Sequence, residues 1–192
     1  FVMPLESSGP NVKPSPFHQG EQTIQEKLGV RERSEKIGAI AIRDHMSEQH
    51  QEFYSKLPFI FIGALDKRRA PWASAMSGRP GFVRALGPKS LEIKSSMIDG
   101  DPLAGRLKAR SAVGLLGIEY ESGRRNRLIA HVAEISADKM LFSIDQTFGN
   151  CLQYIQARGL SLLDRIEATG GAREREKFDA IFYSSTFVDY AS

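Results

Sequence analysis

Seven short apolar segments separated by turn-forming residues dominate the middle of the chain. The first, 59–65, is a continuous run of aromatic and β-branched side chains of strand length, and a polar turn beginning at Asp66 follows it. Six further segments have strand composition: 71–77, 81–86, 90–95, 112–120, 125–136 and 139–145. Short strands separated by tight turns favour an antiparallel barrel over a parallel α/β sheet.

Helical patterns surround this strand region. Residues 1–20 hold four of the nine prolines and few apolar side chains, which predicts a flexible arm. Ile24 and Leu28 lie four residues apart and predict a short helix over 21–28, and Ser47 is a good N-cap for a second helix that ends near Leu57. A third short helix is expected at 101–109, between two strands.

The C-terminal part of the chain reads as helical up to its last residues. Helices are expected over 151–158, 161–168 and 172–183, and 186–190 has the composition of a strand. A strand at the very end must find a pairing partner, so it is expected either to close the edge of the barrel or to pair with residues beyond 192. The predicted organisation is an arm (1–20), a helical segment (21–57), a barrel domain (58–158) and a helical extension ending in an orphan strand (159–192).

Composition excludes several protein classes. A single cysteine, Cys151, can form no internal disulfide and no cysteine-based zinc site, which fits a reducing compartment. No apolar run approaches the roughly 20 residues that span a bilayer, and residues 1–5 do not resemble an export signal. The sequence therefore predicts a cytoplasmic protein that does not insert into a membrane.

The positive charge of the chain is concentrated in its middle third. The net charge is +3, but residues 57–127 carry 13 basic and 6 acidic side chains, a local net charge of +7. Such an excess suits an anionic partner, for example a phosphorylated cofactor or an acidic substrate. A solvated strand face rich in arginine would give the same count.

No catalytic or metal-binding motif is visible. His45 and His50 are five residues apart, which is not the i, i+4 spacing that places two ligands on one helical face. The histidines are therefore interpreted as structural or exposed, and Cys151 as a small core side chain. No P-loop or dinucleotide-binding fingerprint occurs either. We assign no catalytic residue and no metal ligand from the sequence.

Three segments carry groups suited to ligand binding. In the first, 71–82, a strand with the only tryptophan, Trp72, runs into a glycine- and proline-rich turn around Arg79. Glycines let backbone amides approach an anion and an arginine offers a forked charged donor, although a tight hairpin with an exposed arginine explains the same residues.

The second segment, 122–128, is a hairpin whose outgoing strand alternates in direction. Arg125 and Arg127 therefore share one face and Asn126 takes the other. Nucleic-acid binding would require exposed aromatic residues between the basic ones, and only Tyr120 is close, so that function is not favoured.

The third segment, 145–156, joins the last strand of the barrel to a helix. Its amides and hydroxyl, including Gln146 and Thr147, can form hydrogen bonds with the edge of a heteroaromatic ring. Asn150 could equally serve only as the cap of the following helix.

The order of motifs carries a resemblance to a known family. The motifs are a helix at 47–56 and segments at 57–66, 71–74, 78–82, 100–103, 114–119, 124–128 and 148–151, within 15–158. Together they resemble the bacterial pyridoxamine 5′-phosphate oxidase-related, FMN-binding split-barrel proteins. The resemblance implies a mainly β fold with flanking helices, a six-stranded antiparallel split β-barrel, and a homodimer that binds FMN at the subunit interface. It also implies a possible reductase partner or fused reductase domain.

The same resemblance suggests which residues hold the flavin. Ser74 and Arg79 fall on the Arg and Lys with which the oxidase proper grips the phosphate, whereas Asp101, Pro102 and Leu103 fall on its Ser-Arg-Lys motif. Asn126 falls near a glutamine that contacts the flavin ring. The expected cofactor-binding residues are Trp72, Ser74, Ser77, Arg79, Arg125, Asn126, Gln146 and Thr147.

Two functions follow as hypotheses. The first is a flavin-dependent oxidoreductase related to pyridoxamine 5′-phosphate oxidase, in which the flavin carries the redox chemistry and no acid or base need be visible in the protein. The second is a flavin-free barrel that acts as a dimerisation or small-anion-binding module, and the acid at Asp101 favours it. Neither the substrate nor the electron donor can be identified from the sequence.

Overall fold

The strand-rich middle of the chain forms one antiparallel sheet preceded by three helices. In a computed structural model of the 192-residue chain, the residues described are 14–66, 68–98, 100–149 and 158–159. The helices are α1 (Gln19–Lys27), α2 (Arg31–Ala41) and α3 (Glu48–Lys56). The strands are β1 (Phe59–Leu65), β2 (Pro71–Ser77), β3 (Val83–Gly87), β4 (Ser90–Ile93), β5 (Ala112–Glu119), β6 (Arg124–Ile135) and β7 (Met140–Gly149).

All seven apolar segments predicted as strands are confirmed, and each forms its own strand. Their order across the sheet is β2-β1-β5-β6-β7-β4-β3, and every neighbouring pair is antiparallel. The expected count of six strands is therefore wrong for the described residues, which contain seven. The expected closure is also absent there, since β2 and β3 are the two edges of an open sheet.

One face of the sheet carries the hydrophobic core. Along β6, Asn126 and Leu128 are buried while Arg127 and Ile129 are exposed, which is the alternation of a strand with one covered face. Leu128 pairs with Leu115 of β5, and both are buried side chains of the core. The predicted separation of Asn126 from Arg127 is thereby confirmed, because Asn126 faces the core.

Helix α3 packs on the core through its apolar residues. Ser47 caps it as predicted, since its hydroxyl oxygen accepts a hydrogen bond from the backbone N–H of His50 at 3.3 Å. Phe53, Tyr54 and Leu57 are buried. A Cβ atom added to Gly117 of β5 would lie 2.7 Å from Phe53 and Leu57 and 3.0 Å from Tyr54, so glycine is what lets α3 approach the sheet.

The predicted helix at 101–109 is wrong, because this stretch consists of turns. Asp101 accepts a hydrogen bond from the backbone N–H of Leu103 at 2.7 Å, which is the local bonding typical of a turn. Gly105 and Arg110 have positive φ angles of 67° and 68°, which no α-helix contains.

Helix α2 has no counterpart in the sequence prediction. Its apolar side chains Ile37 and Ile40 are both exposed, and its N-cap residue, Val30, makes no side-chain cap. A helix without an apolar stripe or a capping residue shows neither of the signals from which helices are recognised. The first helix was expected over 21–28 and runs instead from Gln19, where His18 and Glu21 form a capping box.

Strand β7 extends four residues beyond the expected end at 145. Thr147 pairs with Leu128, and Gly149 pairs with Asn126, so the predicted link to a helix is strand up to Gly149. Asn150, Cys151, the helices expected over 151–158, 161–168 and 172–183 and the strand at 186–190 lie outside the described residues, apart from the isolated pair 158–159. Within the described residues, no helix has the length and apolar character needed to cross a membrane.

Candidate functional site

A pocket of about 310 Å³ opens beside the N-terminal half of α3, where this helix meets the β5–β6 hairpin and the end of β7. It combines two cations with two side-chain amides, an imidazole and an aromatic ring. Its lining consists of Gln49, His50, Phe53, Arg124, Arg125, Asn126 and Gly149.

The back of this pocket is a ring of three hydrogen-bonded side chains from three different elements. Asn126 Nδ2 lies 3.3 Å from His50 Nε2, and His50 Nδ1 lies 3.3 Å from Thr147 Oγ1. Thr147 closes the ring by donating from its hydroxyl to Asn126 Oδ1 at 3.1 Å. Two residues expected from the sequence, Asn126 and Thr147, are thus brought into direct contact.

Tyr54 holds this hydrogen-bonded group of three side chains in place through Asn126. Its hydroxyl donates to Asn126 Oδ1 at 2.8 Å and lies 3.1 Å from the main-chain oxygen of the same residue. Burial raises the pKa of Tyr54 well above its ordinary value, so the phenol stays protonated and remains a donor. Because Asn126 and Thr147 are also buried, this polar cluster depends on its own members for hydrogen bonds.

His50 stands where the ring meets the pocket. Partial burial lowers its pKa, and the nearby positive charges of Arg43 and Arg124 lower it further. Arg124 itself lies over the ring of Phe53, with its guanidinium carbon 5.6 Å from the ring centre. A guanidinium nitrogen of Arg124 lies 4.0 Å from a carboxylate oxygen of Glu119. The pocket therefore presents fixed positive charge beside an imidazole biased towards its neutral form.

Gln146 does not join Thr147 at this ring. It pairs with Ile129 on the outer face of the sheet, and its side-chain amide donates to the carbonyl oxygen of Pro16 at 3.2 Å. A β-bulge at this point of the β6–β7 ladder offsets the register. Gln146 and Thr147, both expected from the sequence to bind the edge of a heteroaromatic ring, thus face opposite sides of the sheet.

The expected residues on β2 form a second group with partners of their own. Trp72 donates from its indole nitrogen to Asp66 at 3.1 Å, and Ser74 donates from its hydroxyl to Asp101 at 2.7 Å. Hydrogen bonds from the backbone N–H of Ala70 and from Trp72 lower the pKa of Asp66, which keeps that carboxylate ionised. Asp101 therefore anchors the buried Ser74.

The glycine-rich turn around Arg79 uses its backbone amides internally. Gly78 donates to the oxygen of Pro58 at 3.0 Å, and Gly81 donates to that of Ser55 at 2.8 Å. The amide of Phe82 bonds to the carbonyl oxygen of Arg79 at 3.0 Å. These three amides tie the turn together and to the end of α3, so an anion here would meet the side chains of Arg79 and Ser77, both of which are exposed.

The two groups lie on separate parts of the sheet. Ser74 pairs with Ile62, Ile62 with Leu115 and Leu115 with Leu128, so β2 and β6 are three strand spacings apart. At about 4.8 Å per spacing, this is roughly 14 Å measured along the sheet. Arg125 belongs to the pocket with Asn126, whereas Trp72, Ser74, Ser77 and Arg79 belong to the β2 side.

Sequence reasoning missed two members of the pocket cluster, His50 and Tyr54. Both lie on α3, and their partner Asn126 is 76 and 72 residues away along the chain. Tyr54 sits beside Phe53 in an apolar helix face and is typical of a core residue. Only the fold brings these side chains together, so no local signal could have identified them.

A second cavity of about 440 Å³ lies between the N-terminal segment and β7. Its acidic side chains already have partners: Glu35 accepts from Ser15 at 2.7 Å, and Asp44 accepts from Lys89 at 2.9 Å. Within the described ranges no group of three or more His, Cys, Asp or Glu side chains could hold a metal ion. The pocket at Asn126 is therefore the better candidate for a binding site.

Comparisons with known proteins give distant structural neighbours. No family model matches the chain, and no curated protein sequence matches it significantly. A crystal structure of HupZ from Group A Streptococcus aligns with a TM-score of 0.43 at 9% identity, over 59% of this chain and 99% of that chain. A structure described as F420 reductase aligns with a TM-score of 0.39 at 12% identity, over 55% of this chain and 98% of that chain. With TM-scores below 0.5, these neighbours do not assign a function, and the proposals below rest on the residues of this chain.

Proposed function

We propose that the protein is an FMN-binding split-barrel protein that acts as a flavin-dependent oxidoreductase related to pyridoxamine 5′-phosphate oxidase. The observation that carries the proposal is the pocket at Asn126, where a buried amide borders a cavity lined by Arg124 and Arg125. Its volume of about 310 Å³ is at the lower end of the range for ligand sites, roughly 300–1,000 Å³.

The ring of the flavin would lie against Asn126. The amide can donate to an acceptor atom at the ring edge, and Phe53 supplies an aromatic wall. Arg124 and Arg125 favour electron density on the bound ring. When bound, the flavin would supply the transfer of a hydride or of electrons, while the protein supplies position and charge.

The phosphate of FMN would be held on the β2 side of the sheet. Since the amides of Gly78, Gly81 and Phe82 are occupied, the side chain of Arg79 and the hydroxyl of Ser77 are the groups proposed to meet it. Ser74 and Trp72 would border the ribityl chain while keeping their bonds to Asp101 and Asp66.

The separation of the two groups supports a homodimer with FMN at the subunit interface. In such a dimer each flavin would take ring contacts from the pocket of one subunit and phosphate contacts from the β2 side of the other. We place the dimer in the cytoplasm, with a reductase protein or a fused reductase domain as electron donor, and propose neither nucleic acid nor membrane as a partner.

Removal of the Arg79 side chain is expected to weaken FMN binding about tenfold or more, since a charge-assisted hydrogen bond contributes about 1.5–3 kcal/mol. Binding of riboflavin, which has the same ring and no phosphate, should stay within about twofold. Quenching of flavin fluorescence during titration of the wild type and of Arg79→Ala measures the affinity for FMN and the affinity for riboflavin. Arg127→Ala removes an exposed arginine from the outer face of β6 and is the matched control.

Equal losses for FMN and riboflavin in Arg79→Ala would contradict the phosphate assignment. A wild-type protein that quenches neither flavin would contradict flavin binding as a whole. That result would favour the second candidate, a flavin-free dimerisation or small-anion-binding module. The segment 101–103 supports it, because an acid and two uncharged residues, Asp101, Pro102 and Leu103, stand where the oxidase has Ser-Arg-Lys. Titration with inorganic phosphate would then test the Arg124 pocket directly.

A further inference from the structure

Each hydrogen bond of the three-residue ring behind the pocket can be assigned a donor and an acceptor. Asn126 Oδ1 accepts from two hydroxyls, those of Tyr54 and Thr147. The amide nitrogen of Asn126 is therefore turned towards His50 Nε2. Since an amide nitrogen only donates, His50 Nε2 must accept, and the imidazole proton lies on Nδ1, from which it donates to Thr147 Oγ1.

With these donors and acceptors, one N–H of the Asn126 side chain remains for a ligand. An amide group has two N–H bonds, and one of those on Asn126 is directed to His50. Within the part of the chain that the structure describes, no hydrogen bond uses the other, and Asn126 lines the pocket. The amide thus offers an N–H, and its oxygen is kept away by Tyr54 and Thr147.

We propose that His50 is the positioning residue that holds the Asn126 amide with its N–H towards the ligand, so that the pocket selects a ligand atom that accepts a hydrogen bond. For a flavin this would be a carbonyl oxygen or an unprotonated ring nitrogen. The inference rests on the proposed function, because it takes the flavin as the ligand of this pocket.

Protonation of His50 would reverse the selection. An imidazolium carries N–H on both nitrogens, so Nε2–H would face the N–H of Asn126, two donors against each other. Rotation of the amide relieves this conflict by turning Oδ1 towards His50. The pocket then presents an acceptor instead of a donor, and a ligand acceptor loses its hydrogen bond.

The groups around His50 keep it neutral at pH 7. The charged groups facing it are Arg43, from the segment before α3, and Arg124 and Arg125 from β6, and Tyr54 is the titratable neighbour on α3 itself. Burial and the charges of Arg43 and Arg124 lower the pKa of His50, which places its protonation in the acidic range. Tyr54 stays neutral throughout that range.

Two effects of protonation oppose each other, which makes the pH dependence informative. A positive charge on His50 would strengthen the attraction of the pocket for electron-rich ligands by electrostatics alone. Rotation of the amide would weaken binding of an acceptor. Riboflavin is the right probe, because it has no phosphate group to titrate over the same pH range.

The experiment combines NMR of the imidazole nitrogens of His50 with riboflavin titrations between pH 5 and 8. At pH 7.5 we expect the Nδ1–H tautomer. As His50 becomes protonated, the side-chain amide resonances of Asn126 should move with the same midpoint and riboflavin affinity should fall about tenfold, the loss of roughly one buried hydrogen bond. His50→Gln, whose amide can accept and donate but cannot titrate, should bind riboflavin with little pH dependence. His45→Gln, at a histidine outside the ring, should behave like the wild type.

The outcomes separate this inference from the proposed function. An Nε2–H tautomer at pH 7.5, affinity that rises or stays constant as His50 is protonated, or wild-type pH dependence in His50→Gln would each overturn the positioning role. Absence of riboflavin binding at every pH would overturn the proposed function and the ligand selection with it, while the tautomer measurement would still decide how His50 orients Asn126.

Discussion

Replacing Gly117 with alanine is expected to lower the free energy of unfolding by about 2–3 kcal/mol. The added methyl group would lie 2.7 Å from side-chain atoms of Phe53 and Leu57 and 3.0 Å from Tyr54. Phe53 and Tyr54 of α3 and Leu57 directly after it are all buried, so their side chains cannot swing into solvent and the close contact forces the packing of α3 against β5 to rearrange. Chemical denaturation followed by circular dichroism measures the loss.

The matched control is Gly114→Ala on the same strand. A Cβ atom at Gly114 would meet nothing within 4 Å, and its backbone angle is one that alanine adopts without strain. We expect the stability to change by less than about 0.5 kcal/mol, or to rise slightly, because alanine restricts the unfolded chain. An equal loss in both variants would show that β5 tolerates no side chain at its glycines, and would contradict the close approach of α3 as the cause.

Replacing Asn126 with alanine is expected to cost about 2–4 kcal/mol of unfolding free energy, because the buried Thr147 and the partly buried His50 lose their hydrogen bonds at once. The hydroxyl of Thr147 loses its acceptor, and His50 Nε2 loses its donor. Tyr54 keeps only its contact with the main-chain oxygen of residue 126. The same variant removes the donor from the pocket, so riboflavin binding should fall as well.

Arg127→Ala serves as the control for this variant too. Arg127 is the next residue of β6 and points to the exposed face, so its removal should change the stability by no more than about 0.5 kcal/mol. The denaturant midpoints of the two variants provide the measurement. They are compared using one common slope for the dependence of the unfolding free energy on denaturant concentration. Similar midpoints for Asn126→Ala and the wild type would contradict the view that the ring of hydrogen bonds is a structural support of the site.

The strands could be predicted because their signal is local. In 59–65 and 71–77, composition and turn residues define both ends, and the structure has strands with the same bounds. The helix predicted at 101–109 does not form, because Asp101 and Gly105 favour turns. Helix α2 was missed because its large apolar residues are only Ile37 and Ile40, and its N-cap residue, Val30, has no capping side chain.

The candidate site was predictable only where the alternation of side chains along a single strand determines which residues share a face. Alternation along β6 was enough to separate Asn126 from Arg127, and the structure confirms this separation. The pairing of Asn126 with His50 and Tyr54 depends on where α3 lies on the sheet, which the sequence does not show. Gln146 and Thr147 are adjacent in sequence, and only the strand geometry reveals that they face opposite sides.

Titration of the protein with FMN, followed at the side-chain amide resonances of Asn126, tests the flavin site most directly. We expect these resonances and the backbone amide of Gly149 to shift in step with the quenching of flavin fluorescence and to yield the same dissociation constant. Fluorescence quenching without a shift at Asn126, or no binding of FMN at all, would contradict the assignment of this pocket to a flavin.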